Sequence, residues 1–130
     1  IGMLVAERLK KPFIYVRPEP KAHGAAKQIE GKILEKVPVV VIEDLISTGK
    51  SSLNAVKALQ KNGNDVIGVF AIFSYGLEIA KTNFEKADQK FFTLSDFSSL
   101  IECSKKHMSF SEEDLNKVSS WKTNPNKWFI

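Results

Sequence analysis

Residues 39–51, VVVIEDLISTGKS, constrain this chain more than any other stretch. Val39–Ile42 are apolar and β-branched, the pattern of a strand buried at the centre of a parallel sheet. Two acids, Glu43 and Asp44, follow at once, and then a small polar run of Ser47, Thr48, Gly49, Lys50 and Ser51. Leu53, Val56 and Leu59 next recur every three residues, the spacing of one helix face. A strand, a short polar loop and a helix in direct succession form a unit of an α/β fold. In such folds ligands bind at the carboxyl ends of the strands.

The chemistry of this run points to a ligand with two kinds of group. Unpaired amides at a helix N-terminus bind anions, because the helix dipole is positive there. Gly49 lets the backbone approach a phosphate closely, and Ser47, Thr48 and Ser51 add hydroxyl donors. Glu43 and Asp44 are acceptors for vicinal hydroxyls and can help to hold Mg²⁺. A ribose phosphate carries both parts. Gly49-Lys50-Ser51 also matches the end of a nucleotide P-loop, but that motif needs Gly where Asp44 stands. An acid there would repel the phosphates. Acids after a strand can also simply cap a turn or open a helix; their place directly before a phosphate-type loop favours the ligand role.

The rest of the chain describes an ordinary globular protein. Its 130 residues suit one domain, 1–130, with 43% hydrophobic and 26% charged residues. No apolar run approaches the length of a membrane span, and no signal-peptide pattern is visible. A single Cys103 excludes an internal disulfide, and a reducing, cytoplasmic setting is expected. The net charge of +4 comes from lysines spread along the chain, which reads as solvated faces and not as a nucleic-acid patch. The chain opens on Ile1, inside what reads as the body of a helix, so a fragment of a longer protein is expected.

Periodicity places the other elements. A helix is predicted over 2–10, with Met3, Leu4, Val5 and Leu9 on one face, and a strand over FIYVR at 13–17. Residues 18–31 are polar and lack periodicity, so a long flexible loop with a hairpin at its base is expected. DVIGVFAIF at 65–73 reads as a second buried strand, and KFFTL at 90–94 as a third. Leu77, Ala80, Phe84 and Ala87 mark a helix between them. Asn62-Gly63 closes the helix before, Ser95 is expected to cap the one after, and Ser111 with Asp114 to form a capping box on the last. The aromatic tail, WKTNPNKWFI, is expected to pack on the domain or on a partner. The predicted class is α/β, a mostly parallel sheet flanked by helices.

The run of four apolar residues, two acids, two apolar residues and a Ser/Thr/Gly loop resembles the phosphoribosyl pyrophosphate (PRPP) motif of type I phosphoribosyltransferases. The segment YVRPEPKAHG at 15–24 resembles the catalytic loop of the orotate branch, with Arg17, Lys21 and His23 in matching places. The resemblance extends to VAERLKKPFIYVR and AIFSYGLEIAKTNFEKA and so covers nearly the whole chain. It implies that Glu43 and Asp44 take the ribose hydroxyls of PRPP. Ser47, Thr48, Gly49, Lys50 and Ser51 would then take its 5′-phosphate, with Leu45 and Ile46 also part of the PRPP site. Arg17, Lys21 and His23 would reach the phosphates and departing pyrophosphate, with Lys21, His23 and Asp44 catalytic and Mg²⁺ held mainly through PRPP.

The same resemblance implies a homodimer that shares the 18–31 loop across subunits. It also implies transfer of the phosphoribosyl group to orotate in pyrimidine synthesis. Phosphoribosyl transfer to a purine-type base, or a non-catalytic PRPP sensor on the same fold, are the alternatives; Lys21 and His23 favour the enzyme, and the Lys-x-His-Gly run favours orotate. The chain departs from the family pattern at Lys50, usually a small or hydroxyl residue, and at Pro18, where relatives carry a second Lys. It lacks the family's N-terminal hood and pyrophosphate-binding turn. It has Ser74-Tyr75-Gly76-Leu77 where many relatives place an Arg for the orotate carboxylate. Backbone amides around Tyr75 and Gly76 are the expected substitute.

Overall fold

The computed structural model describes residues 1–19, 28–33, 36–107, 110–123 and 125. Its centre is a three-stranded parallel sheet in the order β3 (Pro38–Ile46), β4 (Asp65–Ser74), β5 (Phe91–Asp96). Helix α2 (Lys50–Lys61) connects β3 to β4, and α3 (Glu78–Lys86) connects β4 to β5. An N-terminal helix, α1 (Gly2–Arg8), precedes a separate antiparallel pair, β1 (Tyr15–Val16) and β2 (Ile29–Glu30). Helices α4 (Phe97–His107) and α5 (Glu112–Thr123) end the described fold. No helix among the described residues is long and apolar enough to cross a membrane.

The predicted periodicities build the core. Leu53, Val56 and Leu59 of α2 and Ala80 and Phe84 of α3 pack with Val41, Ile46, Val66, Val69 and Ala71 of the sheet. Ile46 and Val69 are fully buried. Burying such a side chain contributes about 1.5–3 kcal/mol. Ala71 pairs with Glu43 across β3–β4, which puts the acid directly over this core.

Several expectations are corrected. The first strand does not stop before the acids: β3 runs on to Ile46 because its pairing with β4 continues to Ile46 opposite Ser74. Glu43 and Asp44 are therefore held inside a strand. The second strand is not buried on both faces; Ile67, Phe70 and Ile72 are exposed. Successive parallel crossovers of one hand, stepping the same way across a sheet, lay both helices on one face. Here α2 and α3 share the same core, so the opposite face is left to a Phe70–Phe92 stack, 5.0 Å between centroids. The expected apolar face of α1 is also open at Met3, Leu4 and Leu9; Gly2 approaches Ile42 at the rim of that sheet face. The predicted strand over 13–17 shortens to Tyr15–Val16, while the hairpin at the base of the loop forms as expected.

Helix caps follow the same pattern of agreement and correction. Asn62 and Gly63 close α2, with Gly63 at φ +84°. Ser111 and Asp114 form the expected capping box: the Ser111 hydroxyl donates to the Asp114 carboxylate at 2.6 Å, and the Asp114 amide donates back at 3.1 Å. Ser95 does not cap α4, since β5 continues through it to Asp96. Asp96 caps instead, accepting from the Ser99 amide at 2.8 Å.

That amide, with the Ser99 hydroxyl, holds the Asp96 carboxyl below its usual range. The ionised form is thus favoured in the folded chain, and its stabilisation is present at neutral pH and lost as pH falls through the lowered folded value. Asp96→Ala is expected to cost about 1 kcal/mol at pH 7. The difference from wild type, read by urea unfolding, should shrink as the pH is lowered; a difference that stays constant on acidification would contradict the cap.

Candidate substrate site

The two acids of β3 end up in different states. Glu43 is pinned: its Oε1 accepts from the Ser51 hydroxyl at 3.2 Å and from the Ser52 hydroxyl at 3.0 Å. Both hydroxyls come from the first turn of α2, so the helix fixes the carboxylate against the strand. Asp44 is exposed, and among the described residues no hydrogen bond or ion pair engages its carboxylate. One acid is a structural hinge between strand and helix, and the other is open to a ligand.

The loop after the strand is wedged onto α3. Gly49 has φ +77°, a left-handed conformation that disfavours any side chain. A Cβ there would lie 2.6 Å from Cε2 of Phe84, so the backbone sits directly on the ring. Asn83 donates to the Thr48 carbonyl at 2.9 Å and turns that oxygen toward α3. Gly49 is also the N-cap of α2 and offers no side-chain cap. The first amides of α2 have no intrahelical acceptor and are available to an anion. Lys50 is the exposed first residue of the helix; Ser47 and Thr48 are half-buried, and Ser51 is exposed. Ile46 is fully buried in the core, so it and the strand-borne Leu45 contribute backbone rather than a reaching side chain.

Arg17 stands at the base of the hairpin. Its guanidinium pairs with the Glu30 carboxylate at 2.7 Å, and its amide donates to the Gln28 carbonyl. Asn54 of α2 donates to the Pro18 carbonyl at 2.7 Å, docking the start of the 18–31 segment beside the α2 N-terminal half. Lys21 and His23 lie outside the described residues. Among the described residues no cluster of three His, Cys, Asp or Glu groups could hold a metal alone. The single unengaged carboxylate of Asp44 instead fits an ion carried mostly by a phosphate ligand, the usual habit of Mg²⁺.

The amides expected to serve the base are both engaged. The Tyr75 amide donates to the Ile46 carbonyl at 3.1 Å, and the Gly76 amide to the Ser74 hydroxyl at 3.0 Å. Sequence reasoning also missed Ser52, Asn83 and Phe84 as parts of the site. Ser52 and Phe84 read as ordinary helix positions, and no sequence signal links Asn83 to a loop 35 residues away.

No family model matches the chain. Comparison with curated proteins is decisive. The chain is 46% identical over 127 residues to the orotate phosphoribosyltransferase of Lactococcus lactis subsp. cremoris, covering 98% of this chain and 61% of that protein. It is 49% identical to the enzyme of the same name from Bacillus caldolyticus over 124 residues, 95% of this chain and 60% of that one. Over nearly its whole length the chain is similar to orotate phosphoribosyltransferases. It spans about 60% of the length of these relatives. Among solved structures, orotate phosphoribosyltransferase from Aeropyrum pernix superposes with a TM-score of 0.68 at 27% identity, over 79% of this chain and 56% of that one. The UMP synthase of Leishmania donovani shares the fold, with a TM-score of 0.75 at 22% identity, over 93% of this chain and 26% of that one.

The Gly49 wedge gives a direct test of how this chain holds its loop. Gly49→Ala is expected to cost roughly 2–4 kcal/mol, from left-handed strain plus the collision with Phe84. Gly63→Ala is the control, since φ is also positive there but nothing lies within 4 Å of the added Cβ. The excess of the first loss over the second, measured by thermal or urea unfolding, reports the Phe84 contact. Equal losses would show that the loop is not seated on the ring.

Proposed function

We propose that this chain is the PRPP-binding core of an orotate phosphoribosyltransferase, which joins orotate to PRPP and yields orotidine 5′-phosphate and pyrophosphate. The observation that carries the reading is the pairing of an open Asp44 carboxylate with an uncapped α2 N-terminus, in a chain 43–49% identical to curated proteins of that name. A solved orotate phosphoribosyltransferase from Mycobacterium tuberculosis in complex with PRPP has the same fold, at 29% identity and a TM-score of 0.52, over 58% of this chain and 45% of that one.

In this mechanism Asp44 accepts the ribose hydroxyls and Glu43 holds the strand and helix in register. The amides of Lys50, Ser51 and Ser52 bind the 5′-phosphate, with the hydroxyls of Ser47, Thr48 and Ser51 and the Lys50 ammonium around them. The bond from the anomeric carbon to pyrophosphate breaks with its electron pair leaving on pyrophosphate, while a ring nitrogen of orotate forms the new bond and gives up its proton to the departing pyrophosphate or to water. Negative charge therefore grows on the leaving group in the transition state. Lys21 and His23, on the segment anchored at Pro18 and Gln28, neutralise that growing charge and exclude water when the segment closes. Arg17 exchanges Glu30 for a phosphate oxygen. Asp44 would help to hold a Mg²⁺ ion brought in with the pyrophosphate, and the ion would supply further charge neutralisation there. The working unit is a cytoplasmic homodimer in which the 18–31 segment serves the neighbouring subunit.

Titration with PRPP and Mg²⁺, followed by an orotate-dependent assay, tests the reading. PRPP binding without orotate turnover would remove the orotate assignment, and competition by a purine base would redirect it. No PRPP binding would remove the reading as a whole. Asp44→Asn is expected to weaken PRPP binding by roughly ten- to a hundredfold, the loss of hydrogen bonds to a charged acceptor. Lys21→Ala should instead abolish most turnover while leaving PRPP affinity nearly unchanged. A Lys21→Ala protein with normal turnover would mean that the segment is not catalytic, as in a PRPP sensor.

A further inference from the structure

Orotate differs from uracil by one carboxylate, so an enzyme that selects it needs a cation near the bound base. The sequence offers no Arg after β4, and the Tyr75 and Gly76 amides are already engaged. The fold brings a cation to that place from far along the chain. Lys122, in the last turn of α5, lies with Nζ 3.4 Å from where a Cβ on Gly76 would stand. Its ammonium donates to the Ser98 hydroxyl at 3.0 Å and sits 6.0 Å from the Phe97 ring centroid.

This position is built, not incidental. Trp121 packs edge-on against Tyr75 at 5.0 Å and against Phe97 at 5.5 Å, and Tyr75 meets Phe73 at 5.8 Å. The cluster ties the end of α5 to the carboxyl ends of β4 and β5. Gly76, at φ +65°, has no side chain to fill the space that the lysine stem crosses. Register places Ile46, Ser74 and Asp96 side by side along this edge. With strands about 4.8 Å apart, Lys122 stands roughly 5–10 Å across the edge from the loop after β3. That is about the span from a ribose to the far side of a six-membered ring. The nearby Asp96 carboxylate accepts from the Ser99 amide and also attracts the Lys122 charge without a direct ion pair, and an ammonium that donates once to Ser98 has two further protons to give.

We propose that Lys122 is the specificity-determining cation for the carboxylate of the base, steered by Ser98 and held in place by the Trp121–Tyr75–Phe97 cluster. The proposal rests on the orotate phosphoribosyltransferase reading and names the group that selects the base within it.

The test compares orotate, uracil and PRPP as ligands of the wild-type protein and of Lys122→Ala, Lys122→Arg and Ser98→Ala, with the thermal midpoint of each variant recorded. Lys122→Ala should raise KM for orotate roughly tenfold or more, with uracil and PRPP unchanged, so that the preference for orotate over uracil collapses. Lys122→Arg, which keeps the charge, should restore orotate to within about threefold of wild type. Ser98→Ala keeps the cation but not the hydroxyl that steers it, and should weaken orotate by a smaller factor. Unchanged orotate affinity in Lys122→Ala overturns the proposal. So does a parallel loss for all three ligands, which would make Lys122 a packing contact only. Should Lys122→Ala fail to fold, the Arg and Ser98 variants decide: no recovery in the first and no effect in the second overturn it. A wild-type protein that binds PRPP but does not prefer orotate to uracil fails earlier and refutes the functional reading itself.

Discussion

The contact between the Gly49 backbone and the Phe84 ring is what joins the core to the site. Phe84 is almost wholly buried and packs at 4.5 Å against Phe91 of β5, in the same cluster as Ile46 and Val69. The loop after β3 therefore rests on the best-packed part of the molecule. Its shape is set by hydrophobic packing and by Asn83. A loop ordered in advance loses little conformational freedom on binding an anion, and more of the interaction energy appears as affinity. The same wedge fixes the first turn of α2, whose Ser51 and Ser52 hydroxyls hold Glu43.

Much of this was legible in the sequence because the signals are local. Strand, acids, loop and helix lie within residues 39–61, and their hydrophobic spacing identifies both the elements and the buried faces of α2 and α3. The hairpin base and the Ser111–Asp114 capping box were legible for the same reason. What sequence could not supply was anything set by neighbours. A strand whose interior is all apolar, such as Asp65–Ser74, looks the same whether one face or both are covered, and strand order decides that. Ser95 and Asp96 are both good caps, and the length of pairing between β4 and β5 chose between them. Glu43 and Asp44 look equivalent on paper; the position of the α2 hydroxyls makes them different.

The difference between the acids has a chemical consequence. Glu43 accepts both hydroxyls on Oε1, which ties the carboxylate to the first turn of α2 while Oε2 keeps its own lone pairs, so Glu43 acts first through geometry. Asp44 has its lone pairs unspent among the described residues and is the group whose interactions can strengthen as a ligand changes charge. Only interactions that strengthen in the transition state raise a rate, so the pinned acid and the open acid serve binding and reaction differently.

In the proposed function, the two halves of the site are encoded at different distances along the chain. Recognition of phosphate and ribose needs backbone amides and a fixed turn, which a short contiguous motif can build and which therefore leaves a readable signature. Recognition of a base needs one charge placed at one edge, and any element that reaches the edge can bring it. Here α5 reaches it through Trp121 on Tyr75 and Phe97, and a missing side chain at Gly76 leaves room for the lysine. A search for an arginine close behind β4 fails on this chain because the tertiary packing, not the local motif, delivers the charge. If Lys122 has the proposed role, aromatic packing at the end of the last helix is coupled to base selection, and a change at Trp121 is felt at the base before it is felt at the phosphate.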